Sequence, residues 1–231
     1  MSLKPELRLD WCSHEAAKYA VEHWHYSGTL PTPPYVRIGA WERGKFVGCV
    51  IFGRGNAPNI GRPFGLKQVE VCELVRVALR HHDTPVTRIV TLALKILKKL
   101  SPGLRLVVSF ADPRQGHVGT IYQAGNWAYL GTSQPTRAYV DKHGREWHSR
   151  MVSPTGMKKV YGRRRRVVTP SECTVKTLPG KHKYVMPLDD ALLSKVAALR
   201  RPYPKRPKDQ APGVHPGLGG ETPTRPLQLS P

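Results

Sequence analysis

The spacing of apolar residues changes several times along the chain, and each change marks an element. Ala17, Ala20, Val21 and Trp24 recur at helical spacing, with Lys18 and Glu22 on the wet face. Ser13 suits the N-cap of that helix, and Glu15 falls in its first turn, where the helix dipole favours an acid. Ser27-Gly28 and the prolines 31, 33 and 34 predict its end near Tyr26. "VRIGAWERGKFVGCVIFGRG" sets two apolar runs on either side of Glu42-Arg43-Gly44-Lys45, the pattern of a hairpin. "QVEVCELVRVAL" reads as a strand, with Glu73 and Arg76 as charges within or beside its apolar run. "DTPVTRIVTLALKILKKL" is predicted to be an amphipathic helix through Val86, Ile89, Val90, Ala93, Ile96, Leu97 and Leu100. Asp83 or Thr84 suits its cap, with Pro85 in the first turn and Pro102-Gly103 as the stop.

"LRLVVSFAD" is a nearly continuous apolar run and predicts a central strand ending at Asp112-Pro113. "HVGTIYQAGN" follows as a short helix ending at Gly125, and "WAYLGTSQ" as another strand. "RAYVDKHGREWHSR" predicts a second hairpin turning at Lys142-His143-Gly144, and "ECTVKTLPGKHKYVMPL" a third turning at Pro179-Gly180. The order predicts an α/β domain over residues 1–153, with a mostly antiparallel sheet flanked by helices. A basic segment with a small hairpin follows over 154–190, and a Pro/Gly-rich tail expected to be disordered over 191–231.

Composition adds a partner. Lys and Arg number 37 against 16 Asp and Glu, a formal charge of +21. Such an excess predicts a polyanion, first nucleic acid, because each phosphate contact releases a counterion. Six cations fall within "KKVYGRRRR": Lys158, Lys159, Arg163, Arg164, Arg165 and Arg166. They are expected to touch a nucleic-acid backbone, which positions a protein without specifying sequence. Cys12, Cys49, Cys72 and Cys173 form no CxxC pair, and Cys49 and Cys72 lie in apolar runs as buried thiols would. With no 18-residue apolar run and no signal-peptide pattern at the N-terminus, a soluble intracellular protein without a membrane partner is expected.

Two places could carry chemistry. A loop leaving the carboxyl end of a central strand often bears functional groups, and here it offers Asp112, Arg114, Gln115, His117 and Tyr122. Asp112 could equally cap the following turn, and Tyr122 could simply pack. The other place is "EHWHYSG", where His25 and Tyr26 fall at the end of the first helix. His23 and His25 are two apart and diverge on a helix, so no local two-histidine metal pair exists.

The order of elements resembles the GNAT acyltransferase fold. Acetyl-CoA enzymes of that fold carry a Gly-rich pyrophosphate loop where the long strand meets its helix; here "RHHDTPVTRIVTLALK" stands at that place without a glycine. Arg80, His81, His82 and Arg88 could still attract an anion there. "EHWHYSGTLP", "IGAWERGKFVGCVIFGRG", "ELVRVAL" and "SFADPRQGHVGTIYQAGNWAYLGT" together look like the Mom DNA-modification proteins of Mu-like phages, over roughly residues 5–153. The resemblance implies a GNAT-like enzyme that converts adenine in double-stranded phage DNA to N6-carbamoylmethyl (acetamido) adenine. It implies protection of the phage genome from host restriction, in the cytoplasm of the infected bacterium. It further implies an iron site at the positions of His25, Tyr26, Asp112 and Tyr122, and places Arg76 near an acyl or glycyl-type donor. A GNAT acyltransferase of a protein or small molecule, and a non-catalytic basic DNA-binding protein, remain as alternatives, and monomer and homodimer stay equally open.

Overall fold

The computed structural model describes residues 6–55, 59–160 and 162–205. They form two compact units: one from the described residues of 6–110, 119–130 and 184–205, the other from those of 111–118 and 131–183.

The first unit is built on a seven-stranded sheet. Its strands are β1 (Leu7–Trp11), β2 (Tyr35–Glu42), β3 (Lys45–Gly53), β4 (Val71–Leu79), β5 (Leu106–Ala111), β6 (Ala128–Thr132) and β12 (His182–Pro187). They lie in the order β1-β2-β3-β4-β5-β12-β6. β1 to β4 pair antiparallel, and β4 and β5 run parallel. The hairpin between β2 and β3 turns through Arg43 and Gly44 at φ of 50° and 75°, as the sequence predicts.

Two clusters form its core. Helix α1 (His14–Trp24) is capped by Ser13, whose hydroxyl accepts the Ala16 amide, and it buries Ala17, Ala20 and Val21 against Cys49, Ile51 and Ala78. Trp24 is packed at the edge of that cluster. The second cluster joins Val71, Leu106, Val108, Ala128 and Val185 to Leu192 and Val196 of the C-terminal segment. Helix α2 (Val86–Leu100) buries Ile89, Val90, Ala93 and Leu97 of the predicted apolar stripe, with Leu94 in addition, whereas Val86 and Ile96 are half-buried and Leu100 is exposed. Helix α3 (Thr120–Ala124) ends at Gly125, and helix α4 (Leu193–Leu199) is the last helix of the described residues.

The second unit holds a three-stranded sheet of β7 (Thr136–Asp141), β8 (Glu146–His148) and β11 (Cys173–Leu178), ordered β11-β7-β8. It also holds a separate two-stranded ribbon of β9 (Met157–Val160) and β10 (Arg163–Arg166).

Four expectations change. β11 and β12 are not a hairpin: β11 pairs with β7, whereas β12 enters the large sheet between β5 and β6. A Pro-Gly turn allows a hairpin, but long-range partners decide the pairing. β1 adds an unpredicted strand, a five-residue edge strand alternating Leu7, Leu9 and Trp11 with Arg8 and Asp10. The unit boundaries replace the predicted divisions at 153 and 190, since β12 and α4 return to the first unit. Residues 191–205 are folded: Leu192 and Val196 are buried, and Tyr203 donates to the Trp127 carbonyl at 2.8 Å. The rest of the predicted tail, 206–231, lies outside the described residues. Among the described residues no helix is long and apolar enough to cross a membrane. The four cysteines are free, and Cys12, Cys49 and Cys72 are buried.

Candidate functional site

In the first unit, the predicted groups lie around β4. Helix α1 stops at Trp24, and His25 is already extended at φ −128° and ψ 133°. The break turns the chain just before Tyr26, which is 43% exposed and so faces away from the core. The His25 and Tyr26 rings lie 4.4 Å apart. The Ser27 amide donates to His25 Nδ1 at 3.1 Å. An amide can only donate, so in the neutral imidazole Nδ1 is the acceptor and Nε2 carries the proton.

The β4 strand carries Glu73 and Arg76 on either side of a bulge. Ile51 and Phe52 are consecutive on β3 but face Arg76 and Leu74, so Val75 is the extra residue. Such bulges re-aim side chains beside functional sites. Arg76 donates from Nε and Nη2 to the Thr29 carbonyl at 3.3 and 3.2 Å, and from Nη1 to the Val75 carbonyl at 2.7 Å. Burial pulls its pKa below the usual arginine range, and the charges of Tyr26 and Glu73 oppose that shift.

Tyr122 is almost fully buried, at 8% exposure, with its ring 5.2 Å from Trp127 and 5.1 Å from Tyr184. Ser109 Oγ lies 2.8 Å from the Leu74 carbonyl oxygen and 2.7 Å from the Tyr122 hydroxyl. The carbonyl can only accept, so Ser109 donates to it and Tyr122 O–H donates to Ser109. Burial pushes the Tyr122 pKa up to about 12, and Tyr26 and Glu73 add smaller upward effects. Trp127, an aromatic that could wall a pocket for a base, is only 1% exposed and is a core residue.

Asp112 stands in the second unit. One carboxylate oxygen accepts the Arg114 amide at 3.0 Å, and the other meets Lys181 Nζ at 3.1 Å. It therefore caps the turn after β5, one of the two roles the sequence allows.

These groups do not fit iron as they are held. The Tyr122 hydroxyl is bonded to Ser109, His25 Nδ1 takes the Ser27 amide, and both Asp112 oxygens have donors. Among the described residues no three His, Cys, Asp or Glu side chains group to hold a metal.

Nor does the loop before α2 fit a CoA pyrophosphate. The Asp83 and Thr84 amides donate to the Glu42 carboxylate, each at 2.8 Å, and the Thr84 hydroxyl donates to it as well. Glu42 is 7% exposed, and despite the cost of burial these bonds and the nearby His82 hold its pKa below the usual glutamate range. An internal anion thus already occupies these amides. Pro85, not Asp83 or Thr84, takes the N-cap position, because Thr84 bonds Glu42 instead. Arg80 and Arg88 are exposed, and Arg80 lies over the Trp24 ring at 5.7 Å.

Sequence reasoning missed Glu42, Glu73 and Ser109 as participants. Glu73 could have been found as a carboxylate inside an apolar strand, and Ser109 as a hydroxyl in the most apolar one. Glu42 gave no signal beyond its place in a turn.

Two solved structures are among those to which the chain is similar. FeeM, an N-acyl amino acid synthase from uncultured soil microbes, superposes with a TM-score of 0.45 at 12% identity, over 82% of this chain and 94% of that one. Spermidine N-acetyltransferase from Vibrio cholerae does so with a TM-score of 0.42 at 8% identity, over 83% and 98%. The fold is α/β, a mostly antiparallel sheet with helices packed on it. It belongs to the Mom protein family, whose model matches residues 6–205. The methylcarbamoylase Mom of Escherichia phage Mu is 31% identical over 165 residues, 68% of this chain and 67% of that protein.

Proposed function

We propose that the protein is a phage DNA-modifying enzyme that places a carbamoylmethyl group on adenine N6 and so shields the phage genome from restriction. The observation that carries this reading is the family match over residues 6–205, joined to a Mu relative named a methylcarbamoylase. The charge of +21 supports a nucleic-acid substrate.

Adenine N6 is a weak nucleophile because its lone pair is delocalised into the ring. As the new N6–CH2 bond forms, the bond from that carbon to the donor's leaving group breaks, the leaving group departs with the electron pair, and N6 loses one proton. Glu73 is the carboxylate that takes this proton. It lies in β4, and its charge acts on both Arg76 and Tyr122. Tyr26 is the exposed aromatic for stacking on a base flipped out of the duplex. Arg76 positions Tyr26 by holding the Thr29 carbonyl, and His25 offers a donor at Nε2. The donor is a small compound that carries the carbamoylmethyl carbon on a leaving group rather than a CoA ester, since Glu42 already takes the Asp83 and Thr84 amides.

A restriction assay tests the biological half. Plasmid from cells expressing the protein should resist endonucleases whose sites contain adenine and remain open to those whose sites hold only G and C. Equal cleavage by both groups, with the protein soluble and abundant, would sink the reading.

A further inference from the structure

The ribbon formed by β9 and β10 is unusual in its charge. Its register sets Arg164 opposite Lys159 and Arg165 opposite Lys158. Like charges directly opposed across strands destabilise a pair. An isolated two-stranded hairpin is itself marginal in water. Residues 157–166 contain no acid, and Arg163–Arg166 are all exposed. Arg166 alone is drawn towards a carboxylate, since it contributes to holding the Glu172 pKa down. The foot of the ribbon, by contrast, is anchored. The Val167 amide donates to the Gly156 carbonyl at 2.8 Å, Val152 bridges Val168, and Val152 and Val167 are buried.

Alternation along the strands divides the six cations evenly. Lys159, Arg164 and Arg166 share one face, and Lys158, Arg163 and Arg165 share the other. A ribbon lying flat on a polyanion would use one face only. A ribbon entering a groove edge-on meets a phosphate wall on each side. A sheet with side chains on both faces is about 10 Å thick, judged by the spacing at which sheets stack. The B-DNA major groove, about 12 Å wide, admits a two-stranded ribbon, whereas the minor groove is about 6 Å wide. The deep, narrow major groove of A-form RNA does not admit side chains.

We propose that β9 and β10 form a blade that enters the major groove of duplex DNA and grips the phosphate walls with three cations on each face. This rests on the DNA-modifying reading above and names how the duplex is held. Opposed cations that repel one another in the free protein then face phosphates in the complex.

The test is the salt dependence of binding by the full chain to an unmodified DNA duplex, followed by fluorescence anisotropy. One variant carries Lys159→Gln, Arg164→Gln and Arg166→Gln; the other carries Lys158→Gln, Arg163→Gln and Arg165→Gln. Each phosphate contact adds about 0.9 to the slope of log K against log salt, so each triple variant should reduce the slope by about 2 to 3. The two reductions should add in the sextuple variant, and no variant should melt below the wild type, since each removes opposed like charges. An A-form RNA duplex of equal length should give a smaller slope than DNA. A silent triple variant, or equal slopes for RNA and DNA, would overturn the blade while leaving the enzyme reading intact. Wild-type protein that bound no duplex at all would overturn both.

Discussion

Arg76 holds the Thr29 carbonyl through two nitrogens, at 3.3 and 3.2 Å, and thereby ties the loop after α1 to strand β4. The loop begins with His25 and Tyr26, so the arginine fixes the exposed tyrosine without touching it in that bond. The planar fork of a guanidinium can reach one acceptor from two nitrogens, and a lysine cannot.

Arg76→Lys should therefore loosen the loop. Hydrogen exchange followed by mass spectrometry should show faster exchange over residues 25–30, with the protection of α2 unchanged. The loss of a charged hydrogen bond to the loop corresponds to about 1.5–3 kcal/mol of local stability. Unchanged exchange over 25–30 would mean that Arg76 serves the donor and not the loop.

Glu42 makes a second long-range tie, accepting from Asp83 and Thr84, which lie 41 and 42 residues away. Glu42→Ala should leave two amides and a buried hydroxyl without their acceptor, and destabilise the fold by about 2–4 kcal/mol in urea denaturation. Because the folded-state pKa of Glu42 is depressed, its contribution is complete above the unfolded value of about 4.3 and is lost as pH falls through the folded value. The gap between wild type and Glu42→Ala should therefore narrow in acid. A gap that stayed constant from neutral pH down through the folded value would contradict this assignment.

Tyr122 requires a careful substitution. Tyr122→Ala would empty a buried aromatic site at a cost of about 3–5 kcal/mol, so lost activity in that variant would not speak about chemistry. Tyr122→Phe keeps the ring and removes only the bond to Ser109. It should fold and should lack one of the two tyrosine ionisations with a pKa of about 12 seen by ultraviolet difference titration, the other being that of Tyr184. The raised pKa makes Tyr122 stabilising below its unfolded value of about 10, and that contribution is lost as pH rises towards the folded value. If the Tyr122→Phe variant titrated identically to the wild type, the retained phenol proton would be disproved.

Much of the first unit was legible because its signals are local. Ser13 caps α1, Arg43-Gly44 turns the first hairpin, and the apolar stripe of α2 follows its 3.6-residue period. The fate of β11 and β12 was not legible. The turn at Pro179-Gly180 suits a hairpin, but β12 gains more by burying Tyr184 and Val185 in the large sheet. Of the site, the break at His25 and Tyr26 could be read from Ser27-Gly28. The roles of Glu42 and Ser109 could not, because their partners are distant in sequence. The place of Asp112 after the central strand made it a candidate and the family resemblance made it an iron ligand, but its geometry is the cap that turn chemistry allows, with an ion pair to Lys181 that no local signal foretells.

The central claim concerns the product, and a nucleoside mass spectrum reads it directly. DNA from cells expressing the protein is digested to nucleosides, alongside DNA from cells expressing Glu73→Gln at equal soluble yield. A deoxyadenosine species heavier by one carbamoylmethyl group, with the added mass on the base fragment, is the predicted result for the wild type, and its loss the predicted result for the variant. Only the four ordinary deoxynucleosides from well-expressed wild-type protein would contradict the account.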